Sequence, residues 1–197
     1  MESLALAFTS GWASGVNSYL VVLVLGIADR LGRFGEIPDV LARWDVLGGA
    51  ALLYAVEFVA DKTPYVDSTW DAVSTAIRPT VGAVLGVLIA GDADSLNSAV
   101  AGVVGGSSAL ASHAVKAGSR LAINTSPEPF SNILVSSAED VTVLVVIAFA
   151  VQHPLVAASV AMLLLVLGLG FLYVAFKLVR RGWHRWKGTD PARPSYV

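Results

Sequence analysis

Apolar residues run along this chain in six blocks, parted by polar, proline- or glycine-marked breaks. A helix that crosses the hydrocarbon core of a bilayer needs about 20 apolar residues. Two blocks meet that length cleanly. Ser3 to Ala28 and Pro154 to Phe176 each carry no charge. Four others are apolar but compromised. Val46 to Ala60 is interrupted by Glu57, and Pro79 to Gly91 is short. Ser95 to Ser112 is almost entirely Gly, Ala, Ser and Val and runs into His113, and Ile133 to Val151 carries Glu139 and Asp140. The pattern predicts an all-α, polytopic membrane helix bundle of about six segments, several of them short or broken. The membrane domain is expected over 1–176, with a basic tail over 177–197.

The expected breaks have physical reasons. Gly11, Gly15 and Asn17 interrupt the first segment, and a glycine costs about 1 kcal/mol inside a helix. Arg78-Pro79 is expected to split the third region, because proline disfavours helix at the residue before it. Asp67 to Ile77 then reads as a short amphipathic helix, with Asp67, Asp71, Ser74 and Arg78 on one side and Val66, Trp70, Val73 and Ile77 on another. Gln152-His153-Pro154 reads as a tight turn between the last two spans.

Composition strengthens the membrane reading. Hydrophobic residues make up 55% of the 197, charged residues only 14%, and mean hydropathy is +0.70. Ordinary soluble domains are about 25% charged. This disfavours a soluble enzyme, a disordered chain and a nucleic-acid-binding domain. The expected partner is the lipid bilayer, with no nucleic acid. No cysteine is present, so disulfide and thiolate chemistry is excluded. No metal or other cofactor motif stands out.

Six of the thirteen Lys and Arg follow residue 176: Lys177, Arg180, Arg181, Arg185, Lys187 and Arg193. Basic residues beside a span stay in the cytoplasm, so the C-terminus is expected inside the inner (plasma) membrane. Counting back over six spans puts the N-terminus inside too. The loop with Asp92 and Asp94 then falls outside. The 29–45 connection, with Arg30, Arg33 and Arg43, also falls outside and fits least well. Met1-Glu2-Ser3 lacks the basic start of a cleaved signal peptide. Trp183-His184-Arg185-Trp186-Lys187 reads as an interfacial anchor.

A repeat of three plus three inverted spans is one expectation. Gly11, Ser14 and Ser18 match Gly105, Ser108 and Ser112 at an offset of 94. The competing reading is six unrelated spans that pack, or form a homo-oligomer, through small-residue faces such as Gly102 to Ser108, which includes Gly105 and Gly106.

The informative residues are ionisable and lie in or beside the apolar blocks, where such groups usually face the bundle interior. Glu57 and Asp61 are four apart, and Lys62, Asp67, Asp71 and Arg78 follow. His113, Lys116 and Arg120 make one basic stripe at helical spacing. Glu139-Asp140 reads either as a binding pair or as a helix-entry pair. Six acids nearly balance four fixed bases, so a paired buried network is feasible. Glu57 and Asp61 are expected to meet Lys116 or Arg120. Arg78 is expected to pair with Asp71 or with Glu139-Asp140.

These residues also carry a resemblance. Glu57-x-x-x-Asp61-Lys62-x-Pro64-x-x-Asp67-x-x-Trp70-Asp71, then Arg78-Pro79, resembles a family of small bacterial membrane proteins known only as a domain of unknown function. Gly15-x-Asn17-x-Tyr19-Leu20, His113-x-x-Lys116-x-x-x-Arg120, Asn132 and Glu139-Asp140 are similar to its other motifs. The resemblance covers about 5–160 and implies a polytopic helical membrane domain without naming a substrate. Three functions remain open. One is a small transporter or channel-like protein for an ion, a proton-coupled solute or an anionic lipid head group. The second is a non-transporting scaffold or accessory subunit. The third is an intramembrane lipid-acting enzyme with Glu139 or Asp140 as base.

Overall fold

The structure, a computed structural model, describes residues 1–32, 35, 37–63, 65–91, 94–124 and 129–188. Arg33, Pro64, Asp92 and Arg193, which entered the sequence reading, lie outside that set. So do the side chains of His184, Arg185, Trp186 and Lys187. The described chain is all helical: α1 Glu2–Gly32, a 3-10 turn at Asp39–Ala42, α2 Trp44–Ala60, α3 Val66–Ala90, α4 Ser95–Ile123, α5 Pro129–Ala150 and α6 Pro154–Gly188. All but α2, at 17 residues, are long and apolar enough to cross a membrane. The chain is a multi-pass helical membrane protein.

Its pattern of burial is the reverse of a soluble fold. The two largest fully buried side chains are arginines, Arg78 and Arg120, while Leu52, Val73, Val103, Val145, Leu163 and Val166 are exposed. Arginine is almost never fully buried unless paired. In α3 the polar row Asp67, Asp71, Ser74 and Arg78 points inward, and Val66 and Val73 point outward. An outward apolar face is stable when lipid is the solvent.

Contacts between α1 and α4 set the helix directions. Ser108 donates to the Phe8 carbonyl, Ser112 to that of Trp12 and Lys116 to that of Val16. Both numbers rise together, so the first half of α1 runs parallel to α4. Gly86 meets Ala101, and Thr75 meets His113, so α3 is antiparallel to α4. Gly168 lies on Val115 and Gly118 on Leu172, so α6 runs with α4. Met1, Ser3, Ala90 and Asn97 share one end of the bundle, and the basic end of α6 lies at the other. Met1 and the basic end of α6 thus lie at opposite ends of the bundle, where the expectation was both termini on one side. That count took α1 as a full crossing, whereas Val24, Ile27 and Ala28 return beside Leu144, Ala148 and Val151 at the end of α5. Only the first half of α1 is parallel to α4, whereas an inverted repeat would oppose the two helices. The matched Gly and Ser residues are instead the two sides of one close contact.

Three local expectations need correction. First, α3 is continuous through Pro79. Proline's missing N–H and its ring disturb only the turn before it, and packing of both halves on α1 and α4 holds the helix across. Second, Gly11 and Gly15 do not break α1, and Gly105 and Gly106 do not break α4. Added methyls at Gly11 and Gly15 would overlap Gly105, Ser108, Ala109 and Ser112, so these glycines let two backbones touch. Gly102 and Ser108, offered above as an outer packing face, are spent the same way on α3 and α1. Third, Glu139 and Asp140 lie in the middle of α5, away from its first turn.

Asn17 does interrupt α1, with φ −152 and ψ 97. Its side-chain oxygen accepts from the Leu20 N–H at 3.0 Å and so caps the second half-helix. That half leaves α4. Val24, Ile27 and Ala28 lie with Leu144, Ala148, Val151 and Gln152 of α5 and its turn. Gly26 then meets Leu41 and Leu47, which folds α2 back along α1. The expected turn at Gln152-His153 is present, and α6 starts at Pro154. α6 does not stop at Phe176. It continues through Lys177, Arg180 and Arg181 to Gly188, so the expected tail begins as helix.

Candidate functional site

The folded-back α2 delivers its C-terminal turn, with Glu57 and Asp61, to the middle of α3 and α4. There the charged residues form one network. Arg78 lies at its centre, about 1% exposed. Its Nη2 is 2.5 Å from Glu57 Oε1 and its Nη1 is 3.0 Å from Asp71 Oδ1. Nη1 also donates to the Gly15 carbonyl at 3.3 Å and to His113 Nδ1 at 2.8 Å. A nitrogen that accepts from a guanidinium carries no proton, so His113 is the neutral tautomer protonated on Nε2. That Nε2 donates to Thr75 Oγ1 at 3.0 Å, and Thr75 Oγ1 donates to the Asp71 carbonyl.

Lys116 and Arg120 extend the network toward α5. Lys116 Nζ bonds Asp61 Oδ2 and the Val16 carbonyl, with Glu57 Oε1 at 3.8 Å and Glu139 Oε2 at 4.0 Å. Arg120 Nη2 holds Glu139 Oε2 at 2.5 Å, and Nη1 donates to the Asp61 carbonyl at 3.2 Å. The expected meeting of Asp61 and Glu57 with Lys116 is therefore present. Glu57 sits closest to Arg78. Of the acids considered for Arg78, Asp71 reaches it. Glu139 goes to Arg120 and Asp140 to Lys62.

Two satellites complete the picture. Lys62 Nζ lies 3.5 Å from Asp140 Oδ2 and 3.2 Å from Ser136 Oγ, over the Phe58 ring. Asn17 Nδ2 donates to Asp140 Oδ1 at 3.0 Å, which ties the α1 break to α5. Among the described residues, Asp67 has no basic hydrogen-bond partner. It accepts from Asn124 Nδ2 at 2.9 Å and Asn132 Nδ2 at 3.3 Å. Asn124, Ser136 and Thr75 were missed in the sequence reading. Thr75 was findable, four residues after Asp71 on the same helical face. Asn124 and Ser136 gave no signal, because neutral polar residues are common both at helix ends and inside helices.

Several buried atoms lack hydrogen-bond partners: Glu57 Oε2, Asp61 Oδ1, both carboxylate oxygens of Asp71, and Arg120 Nε. Asp71 Oδ1 stays close to Arg78 Nη1, at an angle that makes no hydrogen bond. Among the described residues, no group of three or more His, Cys, Asp or Glu is placed to hold a metal ion.

The family described as a domain of unknown function, DUF4126, matches residues 4–173. The chain belongs to this family. No curated protein and no solved structure matches it. The DUF4126 region thus contains the whole network, from Asn17 to Asp140, and ends just before the basic end of α6.

Asn17→Ala is expected to lower stability by about 1–2 kcal/mol, the range for loss of a helix cap. It also frees Asp140 to move. A Tm measured in detergent that matches wild type would show that neither contact contributes.

Proposed function

We propose that the chain is a small membrane transporter whose charged network binds and releases a proton. The carrying observation is a charge imbalance. Glu57, Asp61, Asp71 and Glu139 face only Arg78, Lys116 and Arg120, and His113 is neutral. One surplus buried carboxylate costs several kcal/mol. A bound proton removes that cost and would sit where Glu57, Asp61 and Asp71 have unpartnered oxygens. Lys116 and Arg120 are already engaged by carboxylates, which disfavours an anionic head group. The broken α1 and the end of α2 supply irregular backbone beside the network, as in carriers with discontinuous helices. A scaffold role draws on a different observation: Glu57, Asp61, Asp71 and His113 are all 3% exposed or less.

Flux separates the two. Purified protein in liposomes containing a pH-sensitive dye is expected to carry protons down a gradient, and Glu57→Gln or Asp71→Asn to reduce the rate at least tenfold. Wild-type liposomes no leakier than empty ones, with and without a panel of solutes, would leave the scaffold reading.

The C-terminal end of α6 is read as cytoplasmic because Lys177, Arg180 and Arg181 follow its apolar stretch. The N-terminus and the start of α4 then lie outside. Cysteines at Ser3 and Ser95 are expected to react with an impermeant reagent in intact cells, and one at Val179 only after permeabilisation. Labelling of Ser3 and Val179 from the same side would refute this topology.

A further inference from the structure

A cavity of about 270 Å³ opens into the bundle among α1, α4, α5 and α6. That is roughly nine water volumes at ~30 Å³ each, room for a small organic molecule. Trp12, Val16, Val135, Val143 and Leu164 give it apolar walls. Lys116 and Glu139 are its only charged lining residues, and they differ in what they offer. Lys116 is 2% exposed and committed to Asp61 and the Val16 carbonyl. Glu139 is 18% exposed, and both its basic partners lie on Oε2. Its second oxygen, Oε1, takes part in none of these contacts. The cavity therefore combines an apolar chamber, an aromatic wall and one available carboxylate oxygen, at the edge of a network one positive charge short of neutral.

We infer that this cavity binds a lipophilic organic monocation, an amine or quaternary ammonium with a small apolar body. Its positive charge faces Glu139 Oε1, and Trp12 adds to the lining an aromatic ring, a group that attracts such cations. Its body replaces lipid or water against Val135, Val143 and Leu164. This identity rests on the proton-binding reading above, because the cation does the same electrostatic work as the proton. When the cation enters, the surplus carboxylate is neutralised and the bound proton leaves to water. An anionic amphiphile would add to the negative surplus. A neutral one would make no use of Glu139.

Calorimetric titration of the full chain in detergent tests this with three probes of matched size: benzyltrimethylammonium, its neutral carbon isostere neopentylbenzene, and phenylmethanesulfonate. The cation is expected to bind at least tenfold more tightly than either of the others. Glu139→Gln should weaken it at least tenfold. Ala138→Phe adds bulk at an exposed lining position without replacing a charged group and should weaken it as much. Equal binding of the neutral probe, tighter binding of the anion, or no effect of Ala138→Phe would overturn the inference. Repeating the titration in two buffers of different ionisation enthalpy is expected to show about one proton released per cation bound. Cation binding without proton release keeps the cavity assignment and defeats the proton reading. Proton flux that depends on Glu57 and Asp71, with no cation binding, keeps the proton reading and defeats the cavity assignment.

Discussion

Arg78→Ala is expected to prevent accumulation of folded protein. Arg78 is 1% exposed and faces Glu57, Asp71, the Gly15 carbonyl and His113 at once. Removing it leaves Asp71 without a counter-ion and Glu57 with only Lys116, at 3.8 Å, in a water-poor interior. Breaking a buried pair by deleting one partner costs about 3–5 kcal/mol, and here two acids lose the same base. Whole domains are stable by only about 5–15 kcal/mol. Arg78→Lys should rescue in part, because an ammonium restores the charge but not a planar fork that reaches Glu57 and Asp71 together. Size-exclusion recovery and Tm in detergent, measured side by side for the three proteins, provide the check. An Arg78→Ala protein with wild-type recovery and Tm would show that the network does not hold the fold.

The second large effect is expected from a methyl group. Gly15→Ala would put its Cβ onto Ser112 Oγ and the Ala109 backbone carbonyl. Neither can yield without moving α1 off α4, and that movement takes with it the Ser112 bond to the Trp12 carbonyl and the Arg78 bond to Gly15. Overpacking in a dense core costs about 1–3 kcal/mol and occasionally more, and a backbone obstacle belongs at the upper end. Gly48→Ala is the control. Nothing lies within 4 Å of a Cβ there, so only helix propensity changes, by up to about 1 kcal/mol in favour of alanine. Thermal melts should move in opposite directions. Equal shifts would mean that the α1–α4 contact is looser than its geometry indicates.

Burial explains why the ionic partners of Arg78 were half legible. Asp71 lies seven residues before it, and seven residues make two helical turns, so the spacing alone brings the two together. Glu57 reaches Arg78 from another helix, through a chain that first turns at Asn17 and again around the 3-10 turn. No spacing along the sequence encodes that approach. The same holds for Glu139 and Asp140. Adjacent in sequence, they point about 100° apart on α5, so one serves Arg120 and the other Lys62.

The sequence by itself determined the environment and the inventory. Long apolar blocks with few charges have a low free energy only in lipid, and ionisable residues inside them must then find partners within the protein. Both statements follow from transfer energies that act residue by residue. Tertiary structure decided what depends on the relative placement of helices. Pro79 fails to end α3 because its flanks pack on α1 and α4. The glycines of α1 and α4 are contact points, because two backbones meet there. Met1 and the basic end of α6 lie at opposite ends of the bundle, because α1 turns back after Asn17 instead of crossing. The surplus carboxylate and the apolar chamber beside Glu139 exist only once α1, α4, α5 and α6 surround them. Each is a property of neighbours far apart in the chain, and hydrophobic periodicity carries no record of which helix faces which.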